Sequence, residues 1–368
     1  MTRRRRVMLM SFSLDLGGSE RQLTEVARSL DPEYFEVHVG CQVAKGIRIP
    51  ELKSARIPVV EFPMSSYASI GGIRSALALR SYIRTHGIDL VHAFDVPMDI
   101  FAVPVARVSG CPAVLSSQRA HRSLTTGARL TALRALDRLT DGIVVNCEFI
   151  RQHLVRDENV SPEKIHLCFN GLDPHHFRPQ PRDRCGSDGT LTIGTVAGLR
   201  PEKNIPLLLR AFARLRAERS DTRLLVVGGG PCESDVRKLA QELELGPDFR
   251  LAPPAQDVTC WMHRIDIFVL PSKTEAFSNS IMEAMACGCA VAASKVGGNP
   301  ELTGLSEERG LLFESDDEIG LYQVLQRLVA DASLRTTLAS QASHYVRTRL
   351  SIETSVRRMA GIYSAVLN

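Results

Sequence analysis

Two hydrophobic patterns alternate along the 368 residues. Short, continuous runs rich in valine, isoleucine and leucine alternate with segments whose apolar residues recur at i, i+3, i+4 and i+7. The first pattern is typical of parallel strands buried on both faces, and the second of helices with one apolar face. The predicted strands are RVMLMSF, FEVHVGC, VVEFPM, DLVHAF, AVLSSQ, GIVVNC, KIHLCF, LTIGTVAG, TRLLVVGG, FRLAP, IDIFVLPS, CAVAAS and RGLLFE. The patterns therefore predict an α/β protein with doubly wound parallel sheets.

The clearest helix patterns lie one in each half of the chain, at Leu23, Val26, Ala27 and Leu30, and at Ile205, Leu208, Leu209 and Phe212. Between the halves, FRPQPRDRCGSDGT is rich in proline, glycine and charge. We place a domain boundary there, near residue 183, and predict domains over 1–183 and 184–351. Ligands of such sheets bind beyond the carboxyl ends of the strands, so two of them define an interdomain cleft.

Composition and charge narrow the class of protein. Hydrophobic residues make up 44% and charged residues 23%, and no apolar run reaches the roughly 18 residues of a membrane span. The net charge is +4, with six arginines and one acid between Arg107 and Arg138. Few aromatic residues lie among these arginines, so we expect no nucleic-acid partner. The basic residues favour a different partner: an anionic membrane surface, contacted through Arg3–Arg6 and Arg119–Arg138, or an acidic acceptor.

Nine cysteines include no C-x-x-C pair, and most lie in apolar strands. This pattern predicts neither a zinc site nor disulfides, and therefore a cytoplasmic protein. The start MTRRRRVMLMSF is interpreted as a basic tail before a buried strand, since the apolar part is too short for a secretion signal.

Several strand-to-helix loops combine small residues with a predicted helix cap. Ser19 and Gln22, after Gly17-Gly18, have the spacing of a capping box, and Asn299 is a predicted N-cap before Pro300. Such helix starts bind phosphate well, although α/β proteins need these turns in any case. No loop reads G-x-G-x-x-G, which disfavours a nicotinamide oxidoreductase.

Two cations sharpen the phosphate hypothesis. Arg200 and Lys203 follow the strand LTIGTVAG and would lie at the carboxyl edge of the second sheet. Two cations at this place could bind a diphosphate. The alternative is that both belong to a turn exposed to solvent and have no ligand.

The stretch EAFSNSIMEAMACG contains two carboxylates, Glu275 and Glu283. Ser280 and Glu283 have the spacing of a capping box and Gly288 that of a helix stop, which would explain Glu283 by helix stability alone. That interpretation leaves Glu275 unexplained. The alternative is a ligand with phosphates and hydroxyls, such as a nucleotide sugar, because carboxylates accept hydrogen bonds from hydroxyls.

Seven segments carry a resemblance over nearly the whole chain: GGSER, DLVHAF, FNGLDPHHFRP, GTVAGLRPEKN, LLVVGGGP, IDIFVLPSKTEAFSNSIMEAMACGCAVAAS and VGGNPE. In this order they resemble the retaining glycosyltransferases of family 4, with their E-x7-E motif. The resemblance implies a GT-B fold of two Rossmann-like domains facing a cleft, with the last helix, 352–368, crossing back to the first domain. It also implies a nucleotide-sugar donor (UDP- or GDP-sugar) and a glycan or lipid-linked acceptor in surface polysaccharide or glycolipid synthesis.

The resemblance also implies roles for single residues. Glu283 would hold the donor ribose and Glu275 the transferred sugar, while Arg200 and Lys203 hold the diphosphate. The backbone amides of Ser278 and Asn279 would face the donor, with Gly17 and Gly18 across the cleft. The acceptor's proton would pass to the leaving phosphate, and we expect no metal and no cofactor.

The chain departs from the family pattern where many members have a histidine after the strand AVLSSQ. Gln118 and Arg119 stand there, with His121 nearby. Glutamine keeps a hydrogen bond but transfers no proton. Gln118 therefore joins Glu275, Arg200 and Lys203 as a candidate catalytic residue. Two alternatives remain: a nucleotide-sugar epimerase, which would turn over donor without acceptor, and a non-catalytic GT-B scaffold.

Overall fold

We analysed a computed structural model that describes residues 3–15, 17–180 and 189–368. The chain forms two compact units, Met1–Gly171 with Ile352–Asn368, and Leu172–Ser351. The boundary predicted near residue 183 lies outside the described residues. All thirteen predicted strands and both helix patterns are confirmed.

The first unit is built on a seven-stranded, wholly parallel sheet in the order β3-β2-β1-β4-β5-β6-β7. Its strands are β1 (Arg5–Ser11), β2 (Phe35–Cys41), β3 (Val59–Glu61), β4 (Leu90–Ala93), β5 (Ala113–Gln118), β6 (Gly142–Val145) and β7 (Ile165–Leu167). Its helices are α1 (Gly18–Ser29), α2 (Ile49–Ser54), α3 (Ile70–His86), α4 (Val96–Ser109), α5 (Gly127–Leu136), α6 (Glu148–Arg156) and, from the end of the chain, α14 (Ile352–Leu367).

The second unit has a six-stranded parallel sheet in the order β10-β9-β8-β11-β12-β13. Its strands are β8 (Leu191–Val196), β9 (Thr222–Val227), β10 (Phe249–Ala252), β11 (Ile267–Leu270), β12 (Ala290–Ser294) and β13 (Leu311–Phe313). Its helices are α7 (Ile205–Glu218), α8 (Glu233–Glu242), α9 (Thr259–Met262), α10 (Asn279–Ala286), α11 (Asn299–Thr303), α12 (Glu318–Ala330) and α13 (Ala332–Arg349).

The first sheet is buried on both faces because its side chains alternate between two cores. In β1, Val7 and Leu9 pack into one cluster with α1 and α14, and Met8 and Met10 into the other with α3 and α4. This two-residue period explains why β1 is continuously apolar. Where helix α14 meets the sheet, the Tyr363 hydroxyl lies 2.8 Å from His92 Nδ1 in β4.

Two predicted helix caps are wrong, because the side chains of Gln22 and Asn299 make other hydrogen bonds. Helix α1 has Gly17 as N-cap with no side-chain capping bond, and Ser19 does not cap it. The Gln22 amide instead exchanges two 2.9 Å hydrogen bonds with the backbone of Gly171. Helix α11 has Gly298 as N-cap, and the buried Asn299 amide donates to the carbonyl of Ser294 over 3.0 Å.

Among the described residues, no helix has the length and apolar character needed to cross a membrane.

Candidate active site

Two predicted site residues from distant parts of the chain meet at the carboxyl edge of the second sheet. Lys203 Nζ lies 2.5 Å from Glu275 Oε1, and the side chains are only 15% and 10% exposed. The Ser272 hydroxyl donates to the same carboxylate oxygen over 2.7 Å. The structure therefore brings together a cation and a carboxylate that the sequence places in separate loops.

The loop after β8 presents Lys203 on a 3₁₀ turn, Pro201–Lys203, before helix α7. Asn204 ends this turn in the left-handed region, with φ of 49°. Its side chain donates to Asp316 Oδ1 over 2.9 Å, which fixes the turn. Arg200 begins the turn, is 58% exposed, and pairs with Glu202 over 2.9 Å. Arg200 can therefore reorient at little cost, whereas Lys203 is held.

The loop after β11 presents Glu275 because a neighbouring glycine allows close approach. Gly297 has φ of 55°, and a Cβ there would lie 1.8 Å from the carbonyl oxygen of Glu275. The Gly298 amide donates to the carbonyl of Ala276 over 2.7 Å. The GG pair of VGGNPE thus supports the Glu275 loop by packing.

Glu283 lies in helix α10 and is only 6% exposed. The predicted capping box of Ser280 and Glu283 is wrong, because Ser278 is the N-cap and accepts from the Ile281 amide over 3.3 Å. Ser280 instead lies 3.1 Å from the Ser278 hydroxyl. The stop at Gly288 is confirmed, with φ of 80°. N-terminal capping therefore does not explain Glu283.

The predicted residues at the start of α10 have distinct environments. Ser278 is buried, whereas Asn279, the first helical residue, is half-buried. The first turn of a helix offers backbone N–H groups to an anion. At this edge the second unit therefore combines two cations, one helix start and two carboxylates.

In the first unit, the candidate donor-binding residues Gly17 and Gly18 are exposed at the start of α1. A carboxylate already lies beside them, since a Cβ at Gly17 would meet Glu20 Oε2 at 1.9 Å. Burial raises the pKa of Glu20, and the charge of Asp95 adds to this effect. An incoming phosphate would therefore require Glu20 to move away or take up a proton.

The Gln118 side chain is buried at the end of β5, and both of its polar ends have partners. Its amide nitrogen donates to the carbonyl of Ala120 over 2.5 Å, and its oxygen accepts from Arg122 Nε over 3.1 Å. His121 stacks on His153 with ring centroids 3.6 Å apart. The sequence did not predict these contacts, because they depend on how the loop after β5 folds.

Part of the predicted basic surface is neutralised by ion pairs. Arg122 is 2% exposed on its side chain and binds Asp137 at 2.7 Å and Glu158 at 3.2 Å. Glu158 also binds Arg134 at 2.8 Å. Arg122 lies within the predicted basic surface Arg119–Arg138, but it is buried and paired with two carboxylates that are distant in sequence, so it cannot contribute to that surface. Arg3 and Arg6 likewise pair with acids, whereas Arg129 and Arg138 stay exposed.

A cavity of about 1680 Å³ lies at the opposite, amino-terminal edge of the second sheet, lined by residues such as Thr192, Arg223 and Asp266. Because ligands of parallel sheets bind at the carboxyl edge, this cavity is distinct from the candidate site.

These two parallel α/β units, with a cation–carboxylate pair at one strand edge, define a two-domain fold of the GT-B class. Sequence models of two families match, one described as "Glycosyltransferase Family 4" over residues 16–176 and one as "Glycosyl transferases group 1" over 190–331. The chain belongs to glycosyltransferase family 4 and is a glycosyltransferase of the hexosyltransferase type. The matches do not favour the epimerase or scaffold alternatives.

Glycosyltransferases of known activity are similar to this chain over nearly its whole length. A GDP-mannose-dependent monoacylated α-(1-6)-phosphatidylinositol monomannoside mannosyltransferase of Corynebacterium glutamicum is 26% identical over 98% of this chain and 98% of its own. A D-inositol 3-phosphate glycosyltransferase of Streptomyces bingchenggensis is 29% identical over 96% of this chain and 86% of its own. The crystal structure of Anabaena HepE with UDP and glucose matches with a TM-score of 0.84 at 21% identity, covering 98% of this chain and 99% of HepE.

Proposed function

We propose that the protein transfers a hexosyl group from a UDP- or GDP-sugar to a glycan or lipid-linked acceptor, with retention of anomeric configuration. The observation that carries this proposal is the Lys203–Glu275 pair at the carboxyl edge of the second sheet. A nucleotide sugar needs cations for its diphosphate and acceptors for its hydroxyls, and this pair supplies one of each.

Each residue then has a chemical task. Lys203, Arg200 and the first amides of α10, at Ser278 and Asn279, stabilise the charge that grows on the leaving diphosphate. Glu275 accepts hydrogen bonds from hydroxyls of the transferred sugar, and Glu283 from the ribose. The acceptor hydroxyl attacks the face that the diphosphate leaves, and its proton passes to a phosphate oxygen. Holding the reactants together supplies much of the rate.

We propose that Gly17 and Gly18, at the exposed start of α1, bind an anionic group of the substrate. This role requires Glu20 to move away from the start of α1, because a bound anion and the Glu20 carboxylate would occupy the same place. For Gln118 we propose a positioning role, because both ends of its amide hold the loop that carries Arg119 and His121.

The relatives' names support the substrate class. They include a GDP-mannose-dependent enzyme acting on a phosphatidylinositol monomannoside, and a Campylobacter jejuni transferase acting on a diphospho-undecaprenol acceptor, 27% identical over 90% of this chain and 92% of its own. HepE has been crystallised with UDP-glucose. We infer a UDP- or GDP-sugar donor and an acceptor that carries phosphate or lipid.

We also propose reversible attachment to anionic lipid. The arginines of the predicted basic surface, within Arg3–Arg6 and Arg119–Arg138, are partly paired with acids, but helix α3 has an exposed apolar face. Ile70, Ile73 and Leu77 are 72%, 57% and 60% exposed. The helix IGGIRSALALRSYIRTH contains three arginines and no acid. An apolar face flanked by cations suits the headgroup region of a membrane, at about 1 kcal/mol per basic residue.

Vesicle co-sedimentation tests the attachment. Wild type should bind vesicles rich in phosphatidylserine at low salt, and Ile73→Glu should not. Ile319→Ser removes an equally exposed side chain from α12, 56% exposed, and should bind like wild type. Equal binding to neutral and anionic vesicles would contradict the attachment while leaving the transferase proposal intact.

A thermal-shift panel of UDP, GDP, ADP and their sugars tests the main proposal. A ligand that binds only the folded state raises the melting temperature. One nucleotide series should do so, and Lys203→Ala should lose the rise caused by diphosphates but not by the nucleoside. Absence of any nucleotide effect, or turnover of the nucleotide sugar without acceptor, would count against the proposal.

A further inference from the structure

Two side chains at adjacent strand ends of the first sheet have buried polar atoms without hydrogen-bond partners. They are Nε of Arg119, after β5, and Oδ1 of Asn146, after β6. Asn146 is 4% exposed. Buried polar atoms in folded proteins nearly always have partners, so each such atom requires an explanation. Neither atom takes part in the donor site of the second unit.

The Arg119 guanidinium lies in a site that does not compensate its charge. Its Nη1 donates to Asn170 Oδ1 over 2.9 Å, and its carbon lies 4.8 Å from the ring centroid of Phe94. No carboxylate among the described residues lies within ion-pair distance. Burial lowers the pKa of Arg119. The groups that could raise it again are Cys168 and Tyr363, but both are neutral near pH 7 and so provide no negative charge there. An arginine nevertheless stays protonated in proteins.

The contrast with Arg122, three residues along the chain, is informative. Arg122 is more deeply buried, at 2% exposure, and binds two carboxylates, Asp137 and Glu158. Burial opposes its charge, yet the bonds to Asp137 and Glu158 raise its pKa overall. The same loop therefore contains a buried arginine, Arg122, whose charge the fold neutralises, and a half-buried arginine, Arg119, whose charge it does not neutralise.

The strand register places the unpartnered atoms on neighbouring positions. Gln118 of β5 pairs with Val145 of β6, so Arg119 and Asn146 both follow the last paired residues. Asn170 follows β7, and Phe94 follows β4. All four residues thus lie at the carboxyl edge of the first sheet, where ligands of parallel sheets bind.

We propose that Arg119 and Asn146, with Asn170, form a subsite for a phosphate group of the acceptor. The guanidinium provides planar N–H donors for phosphate oxygens, and Asn146 Oδ1 accepts from a hydroxyl close to that phosphate. The subsite rests on the proposed function and adds to it: it assigns the acceptor to phosphate esters whose glycosylated hydroxyl lies near the phosphate. The donor diphosphate is the other source of the same chemistry.

The test first saturates the protein with the nucleoside diphosphate that stabilises it most, so that the donor site is filled. Glycerol phosphate is then titrated while the melting temperature is followed. Wild type should show a further rise, and Arg119→Met should weaken the glycerol phosphate affinity at least about tenfold, as expected for a charged hydrogen bond. The nucleotide affinity of Arg119→Met should stay within twofold of wild type. Asn146→Leu should reduce the glycerol phosphate effect but not that of inorganic phosphate.

Stability provides the second readout. Without ligand, Arg119→Met removes an uncompensated charge and should melt no lower than wild type. The matched variant Arg122→Met leaves Asp137 without its arginine and Glu158 with Arg134 alone, and it should melt several degrees lower. A lower melting temperature for Arg119→Met with an unchanged phosphate effect would show a structural role and overturn the subsite.

Two further outcomes are distinct. Weaker nucleotide binding by Arg119→Met would assign the anion to the donor and overturn the acceptor subsite. If wild type binds no nucleotide, the proposed function fails. Glycerol phosphate can then be titrated into the nucleotide-free protein with Lys203→Ala, with and without Arg119→Met, and this comparison still decides whether Arg119 binds phosphate.

Discussion

Replacing Lys203 by methionine separates the catalytic role of the Lys203–Glu275 pair from its structural role. In the variant the Glu275 carboxylate, 10% exposed, loses its cation and keeps the hydrogen bond from the Ser272 hydroxyl. Breaking a buried ion pair costs about 3–5 kcal/mol, and because Ser272 and some solvent remain we expect about 3 kcal/mol. For a unit of this size that corresponds to a drop in melting temperature of roughly 6–12 °C.

The double variant Lys203→Met/Glu275→Gln provides the decisive comparison. Removing both charges leaves no unpaired charge, and Ser272 can still donate to the glutamine oxygen, so most of the lost stability should return. Transfer should not return, because the cation is needed for charge that develops on the diphosphate. Loss of such an electrostatic group lowers turnover by about 10²–10³.

The assay combines urea unfolding with initial rates of sugar transfer at saturating donor, on wild type, both single variants and the double variant. If the double variant regains transfer in proportion to its stability, the pair is only structural and the assignment of Lys203 to the diphosphate fails.

Four further outcomes follow from the structure. Arg200→Ala should lower turnover by about 10²-fold without changing the melting temperature. Arg210 is an exposed arginine of the same unit that also has one acid partner, and Arg210→Ala should behave like wild type. Equal turnover by the two variants would exclude Arg200 from binding the diphosphate. Glu283→Gln should weaken nucleotide binding at least tenfold, corresponding to about 1.5 kcal/mol, at nearly constant stability, and the reverse result would assign it to folding. Gln118→Leu should cost about 1–3 kcal/mol of stability, because it leaves a buried guanidinium N–H without acceptor, and weaker nucleotide binding would contradict this. Arg134 and Arg122 hold the pKa of Glu158 at about 2, so the carboxylate stabilises the fold above pH 4.5 and this stabilisation is lost as the pH falls from 4.5 towards 2. Glu158→Gln should therefore flatten the pH dependence of the free energy of unfolding over that range, and an unchanged slope would refute this assignment.

The strands could be predicted from the sequence because burial on both faces leaves a continuous apolar run, as in β1 and β12. Helix caps were predicted less well, because a side chain with the right spacing for a cap can form a hydrogen bond with another partner in the fold instead. Gln22 has the right spacing for a capping box, yet its amide bonds the backbone of Gly171, which is 149 residues away in the sequence. Nothing in local spacing shows such a contact.

The charged residues show the same limit. The loops of Lys203 and Glu275 could each be predicted from the strand before them, but their pairing over 72 residues depends on β8 lying next to β11 in the sheet. Arg122 was expected on the surface because its partners, Asp137 and Glu158, lie 15 and 36 residues away. The sequence predicted Arg119 at the place of a family histidine and on the basic surface Arg119–Arg138. Its uncompensated charge became visible once its neighbours were known.

The central claim is that this protein transfers a sugar with retention, using the Lys203–Glu275 site. The most direct measurement is NMR of the product formed from an isotope-labelled sugar of the nucleotide series that binds, supplied with lipid-linked and phosphorylated acceptors. We predict labelled acceptor with the anomeric configuration of the donor, and none with Lys203→Met/Glu275→Gln. An inverted linkage, or equal product from the double variant, would contradict the account.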